Sequence, residues 1–178
     1  MSDRGRRWGV VDDDVLASYP AEVFLTGDVE RWLRAIDVDA PRAVTFRWLC
    51  QLKLAPCSYD LVDNVGRRSP RHLTPGTDHL EVGQRFLVFR IRSFAPEVHI
   101  SGISTPGFSA VYGKLAVSYT VSDRPGGGSR IVVRLLSAAN SWPARLRRRL
   151  LGLGDLVMMR KQLRTLRDRA ENDARASA

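Results

Sequence analysis

Between Arg85 and Ala138 apolar and polar residues alternate, which is the period of β-strands. Arg85–Phe94 sets Leu87, Phe89 and Ile91 against Val88, Arg90 and Arg92. Pro96 and Glu97 mark a turn, and Val98–Ile103 reads as a short strand. Phe108–Val121 reads as one long strand. Val111, Leu115, Val117, Tyr119 and Val121 lie on one side of it, and Tyr112, Lys114, Ser118 and Thr120 on the other. Asp123-Arg124-Pro125-Gly126-Gly127-Gly128 has the composition of a hairpin turn. Arg130–Ala138 closes the series, with Ile131, Val133 and Leu135 opposing Arg134. In three of these strands one face is hydrocarbon and the other carries the arginines. The pattern predicts an antiparallel sheet with one dry and one wet face.

The flanking segments have other periods. Glu30–Asp39 (Trp32, Ala35, Ile36, Val38) alternates like a strand in its second half. Pro41 then stands where the first turn of a helix tolerates proline. Ala43–Leu54 follows as a helix, with Val44, Trp48, Leu49 and Leu52 near one stripe. Ala55–Thr77 contains Pro56, Gly66, Pro70, Pro75 and Gly76 and reads as a long loop, with a helical turn near Tyr59–Asn64. At the C-terminus Ser141 can cap a helix whose first turn holds Pro143. Gly152 and Gly154 interrupt it, and Asp155 can cap a restart. Leu156, Met159, Leu163, Leu166 and Ala170 then step by three and four as an amphipathic stripe. Only this helix is long enough to cover the dry face. The expected class is α+β, a curved antiparallel sheet wrapped around a long C-terminal helix. Residues 1–30 show no sustained period and are expected to be an extension that packs on the domain or wanders. Residues 31–172 form the domain, and 173–178 a disordered tail.

Length and composition agree with this picture. The chain has 178 residues, 44% hydrophobic and 26% charged, which is the composition of one globular domain. No apolar run approaches the ~20 residues of a membrane helix. An arginine pair near the start is followed by Asp12, Asp13 and Asp14 where an export signal needs an apolar run, so the expected location is cytoplasmic. Cys50 and Cys57 are too few for a disulfide framework or a four-thiolate zinc site. The formal net charge is +9, and residues 145–178 hold ten basic and four acidic residues, so two thirds of the excess lies in the last helix.

Several local words have a family likeness. Asp37-Val38-Asp39-Ala40-Pro41-Arg42-Ala43-Val44 followed by Trp48-Leu49-Cys50-Gln51-Leu52 resembles the first strand and helix of the SRPBCC superfamily. That superfamily includes START-like lipid-binding domains and polyketide cyclase/dehydrase-like proteins. Ser58-Tyr59-Asp60-Leu61-Val62-Asp63-Asn64, Leu80-Glu81-Val82-Gly83-Gln84 and Gly154–Leu163 resemble segments of one uncharacterised bacterial branch. Cys57 and Leu61 stand where that branch usually carries an aromatic residue and a tryptophan. The resemblance covers about residues 31–170. It implies a helix-grip fold enclosing a hydrophobic cavity between the sheet and the last helix.

The dry face alone reads as a filled core. The resemblance implies a ligand space there instead, lined by Trp48, Phe89, Ile91, Leu115, Tyr119, Val133, Met159 and Leu163, with Tyr59 and Asp63 at its mouth. The ligand expected is a hydrophobic small molecule or lipid, and no catalytic residue is assigned. The alternative is a polyketide cyclase/dehydrase-type enzyme. It draws on the polar cluster Tyr59, Asp60, Asp63, Asn64, Arg67, Arg68 and His72, which reads more simply as loop carboxylates satisfying backbone donors and arginines. His72, His79 and His99 show no metal-ligand spacing, and no nucleotide-binding or nucleophile motif is present, so no cofactor or metal is expected. The basic helix suggests a third reading, an adaptor on an anionic membrane surface through residues 145–169. Residues 145–178 contain no aromatic residue, which argues against single-stranded nucleic acid as a partner.

Overall fold

A computed structural model describes residues 6–54, 72–138 and 142–177, with the side chains of the last helix from Met158 onward. In chain order the elements are β1 (Arg7–Trp8), α1 (Asp12–Leu16), a 3₁₀ turn (Pro20–Val23) and β2 (Val29–Val38). Next come α2 (Arg42–Cys50), which tightens into a 3₁₀ turn at Gln51–Lys53, then β3 (Arg85–Phe86), β4 (Phe89–Ala95) and β5 (His99–Ser104). Last are α3 (Pro106–Tyr112), β6 (Lys114–Asp123), β7 (Ser129–Ala138) and α4 (Trp142–Ala176). The strands form one seven-stranded sheet in the order β1-β2-β7-β6-β5-β4-β3. All pairs are antiparallel except β1–β2.

Register assigns every strand residue to a face. Trp32, Ile36, Leu115, Val117, Tyr119, Val121, Ile131, Val133 and Leu135 face inward, joined by Phe86, Phe89, Ile91 and Ile100. Against this face pack α2, through Phe46, Trp48 and Leu49, and α4, through Leu163, Leu166 and Ala170. The fold is therefore helix-grip α+β.

Four departures from the sequence reading have identifiable causes. The stretch 108–121 is not one strand, because Pro106 opens and Gly113 closes the short helix α3. Pro suits the first turn of a helix, and Gly113, at φ 85°, ends it in a conformation that suits glycine. Phe108, Val111 and Tyr112 have the three-and-four spacing of that helix, so Val111 is exposed and leaves the dry face. The stretch 85–94 is also broken. Phe86 pairs with Phe89 across a two-residue turn at Leu87-Val88, where Leu87 has φ 56°, as tight hairpin turns require. Leu87 thus belongs to the turn. The last helix runs unbroken through Gly152 and Gly154 and continues over 173–176, where a disordered tail was expected.

The fourth departure changes the layering. The face expected to be wet is covered. Residues 10–29 lie on it, and Tyr19, Ala21 and Leu25 pack against Leu33, Ala35, Val132, Ala116 and Leu136. The outward arginines meet carboxylates from this layer. Arg134 lies 2.7 Å from Glu22, and Arg130 lies 2.6 Å from Asp14 and also pairs with Asp37. Ala21 N donates to Ser118 Oγ at 2.6 Å, and the Tyr19 hydroxyl donates to Asp14 O at 2.7 Å. Burial pushes the Tyr19 hydroxyl up to about 12.

Candidate functional site

The inner face can be read as cross-strand rows. One row is Arg34–Val133–Tyr119–Ile100, the next is Trp32–Leu135–Val117–Gly102–Ile91, and the last is Glu30–Ser137–Leu115, with Phe89 and Ser104 paired beyond it. Contacts fix how α4 passes over these rows. Glu171 accepts from Asp39 N at 3.0 Å, beyond the end of β2. Gln162 lies over Tyr119, whose hydroxyl donates to its Oε1 at 2.8 Å, with Met159 Sδ 3.6 Å away. The nine helical residues between 162 and 171 span about 13.5 Å at 1.5 Å each. Four strand residues, from the Val38 row to the Arg34 row, span about 13 Å. The guanidinium carbons of Arg160 and Arg164, 5.4 and 5.8 Å from the Trp8 ring, place the helix independently, since Trp8 pairs with Arg34. The backbone of α4 before Met158 therefore continues over the Trp32 and Ser137 rows.

The two halves of this interior differ in their polar groups. In the half beneath Met159–Ala170 the described side chains close on one another. Tyr119, Val133 and Leu163 have 0–1% exposure, and Phe86 meets the Tyr119 ring edge-on at 5.5 Å. The last rows are closed to a similar degree, with Ile91 and Val117 at 0% and Leu115 and Leu135 at 7% and 8%. Polar groups appear among the apolar ones there. Ser137 Oγ and Trp32 Nε1 are buried and have no hydrogen-bond partner among the described residues. Leaving such a group unpaired costs about 1–3 kcal/mol. α3 lies at this end, tied in by Ser104 Oγ, which contacts Ser109 Oγ at 2.7 Å and accepts from Leu115 N at 2.9 Å.

The residues singled out from the sequence fall into three groups. Phe89, Leu115 and Ile91 lie in the last rows, at the Trp32–Ser137 end. Tyr119 and Val133 lie under the carboxyl half of α4, which carries Met159 and Leu163, and Trp48 is buried on α2 with its Nε1 also unpaired among the described residues. Tyr59 and Asp63, with Asp60, Asn64, Arg67 and Arg68, lie outside the described residues. His72 is exposed. Trp32, Ser137 and Gln162 were not singled out. The alternation that placed Ile131, Val133 and Leu135 inward also places Ser137 inward, and this was the available signal. Gln162 lies one turn from Met158 and Met159 on a stripe that looked purely apolar.

Other features are peripheral to this interior. Buried Gln51 donates from Nε2 to Thr77 Oγ1 at 2.6 Å. Beside it, Arg47 and residues 73–78 line a concavity of about 250 Å³. His99 bonds Ser93 Oγ at 2.8 Å through Nε2, and burial lowers its pKa. Among the described residues no group of three His, Cys, Asp or Glu side chains could hold a metal ion, and no helix is long and apolar enough to cross a membrane.

No protein-family model matches the chain, and no curated protein matches it. Solved structures do. The protein MLL2253 of Mesorhizobium loti is 13% identical over 80% of this chain and 98% of its own, with a TM-score of 0.52. A major latex protein family member of Arabidopsis thaliana is 17% identical over 78% of this chain and 94% of its own, at 0.44. The di-domain ARO/CYC protein StfQ of the steffimycin biosynthetic pathway is 13% identical over 84% of this chain and 52% of its own, at 0.49. At such identities the likeness is one of fold, and only the first is close enough in shape to bear on the argument. That likeness is to the helix-grip α+β architecture described above.

Proposed function

We propose that the chain binds a hydrophobic small molecule or lipid between the sheet and the amino-terminal half of α4, at the end marked by Trp32, Phe89, Leu115, Leu135 and Ser137. The observation that carries this is the pair of buried polar groups, Trp32 Nε1 and Ser137 Oγ, that lie among apolar side chains at this end with no hydrogen-bond partner among the described residues. The driving force is apolar burial, about 25 cal/mol for each Å² removed from water, less the cost of ordering the ligand. Phe89 and Leu115 supply the wall. Tyr119, engaged with Gln162, forms the closed floor.

The test is titration with 1-aminoanthracene, whose fluorescence rises in apolar surroundings. Wild-type protein is expected to show saturable one-to-one enhancement. Leu115→Trp, which fills the space, is expected to abolish it while the far-UV circular dichroism is unchanged. Absence of saturable binding to the wild type, or equal binding to a folded Leu115→Trp, would overturn the reading.

A further inference from the structure

Two buried donors face the same end of the interior. Trp32 pairs with Leu135 in the β2–β7 ladder, and Ser137 is two residues further along β7 on the same inward face. The two are diagonal neighbours, roughly 7–8 Å apart along the backbone and within reach of a large side chain. Trp32 is 4% exposed and Ser137 0%. Among the described residues neither Trp32 Nε1 nor Ser137 Oγ has a hydrogen-bond partner. This is unlike the rest of the strand hydroxyls, several of which are spent. Ser104 is held by Ser109 and Leu115 N, Ser118 by Ala21 N and Ser101, and Ser129 by Thr45. Buried polar groups in folded proteins are nearly always satisfied, so two neighbouring exceptions beside a proposed ligand space need an explanation.

The chemistry of the pair is one-sided. An indole N–H only donates, and a serine hydroxyl has one proton to give. A carbonyl oxygen has two lone pairs and can accept from both. Leu115, Leu135 and Phe89 around the pair offer only hydrocarbon to the rest of a ligand. We infer that the ligand carries a carbonyl oxygen, or an equivalent uncharged acceptor, seated between Trp32 Nε1–H and the Ser137 hydroxyl, with its hydrocarbon body against Phe89 and Leu115. This rests on the binding reading above and adds the polar end of the ligand to it.

Two probes of matched shape test it, 2-acetylnaphthalene and 2-ethylnaphthalene, which differ in whether a carbonyl oxygen is present. Each displaces 1-aminoanthracene, and the ratio of the two affinities is compared between wild type, Trp32→Phe and Ser137→Ala. The expected result is a ratio that falls in favour of the hydrocarbon by about 3- to 10-fold in each variant, the worth of one hydrogen bond. The hydrocarbon's own affinity for Ser137→Ala should stay within about 2-fold of wild type. A ratio unchanged in folded Ser137→Ala overturns the carbonyl inference and leaves hydrophobic binding standing. Failure of both naphthalenes and of 1-aminoanthracene to bind the wild type overturns both. If Trp32→Phe does not fold, Ser137→Ala, which removes one oxygen, carries the test alone.

Discussion

Asp14 Oδ2 lies 2.6 Å from the Arg130 guanidinium, although 116 residues separate the two in the chain. Asp14 is 7% exposed and the Arg130 side chain 14%. Asp14 also accepts from Val11 N at 2.8 Å, so one carboxylate both closes the start of α1 and ties that helix to β7. The hydrogen bond from Arg130 holds the guanidinium above its already high ordinary pKa. Asp14→Ala leaves Arg130 short of a partner under the amino-terminal layer. The expected cost is about 2–3 kcal/mol. For a chain of this size that lowers the Tm by roughly 5–10 °C, readable by calorimetry. A change below 1 °C would show that this pair does not hold the layer.

Tyr119 and Gln162 join the sheet to the carboxyl half of α4. Tyr119→Phe keeps the ring contact with Phe86 and removes the proton given to Gln162 Oε1. The expected loss is about 1–2 kcal/mol in urea unfolding, with 1-aminoanthracene affinity within a factor of two of wild type. A large loss of affinity with stability intact would instead place Tyr119 against the ligand.

Cys50 is fully buried on α2, and desolvation pushes its thiol up to about 12. The native thiol is thus protonated at pH 8. Peptide mapping after iodoacetamide treatment at that pH should find Cys50 unmodified in native protein and alkylated in urea. The sign for stability follows. The unfolded thiol ionises near 9 and the native one near 12, so its contribution is intact below pH 9 and is lost as pH rises towards 12. Tyr19 adds a like loss between 10 and about 12. Stability that stayed level from pH 9 to 11 would contradict both.

Gly102 lies in the inner row between Ile91 and Val117. A Cβ there would stand 2.3 Å from Arg90 O, a backbone atom that cannot swing away. Gly102→Ala is expected to cost about 2–3 kcal/mol or more. Gly107→Ala in α3 meets nothing within 4 Å and should be neutral or gain about 0.5 kcal/mol. Equal melting temperatures for the two variants would refute the close approach of β4 and β5.

Much of the fold is legible along the chain because it depends on local geometry. The alternation in 130–138, the glycine-rich turn before it and the three-and-four stripe of Met159, Leu163, Leu166 and Ala170 each reflect a backbone period that neighbouring residues share. The break at 106–113 was legible too. Its proline start, glycine stop and helical spacing were outweighed by the alternation that follows Lys114. Leu87 was not legible, since leucine rarely adopts the positive φ that this hairpin gives it. Its side chain packs on the core.

The sequence by itself determined the α+β class, the one apolar sheet face and the long helix that covers it. These follow from periods of two and 3.6 residues, which need no partner to be read. It also supplied the inward parity of Phe89, Leu115 and Val133. Only the tertiary structure decided what covers the other face, because Arg130 and Arg134 look solvent-facing until Asp14 and Glu22 arrive from 116 and 112 residues away. Only the tertiary structure decided which buried polar groups are satisfied. Tyr119 finds Gln162 across 43 residues, while Trp32 and Ser137 find no partner among the described residues. Hydrogen-bond satisfaction is a property of pairs brought together by the fold, so no single stretch of chain can disclose it.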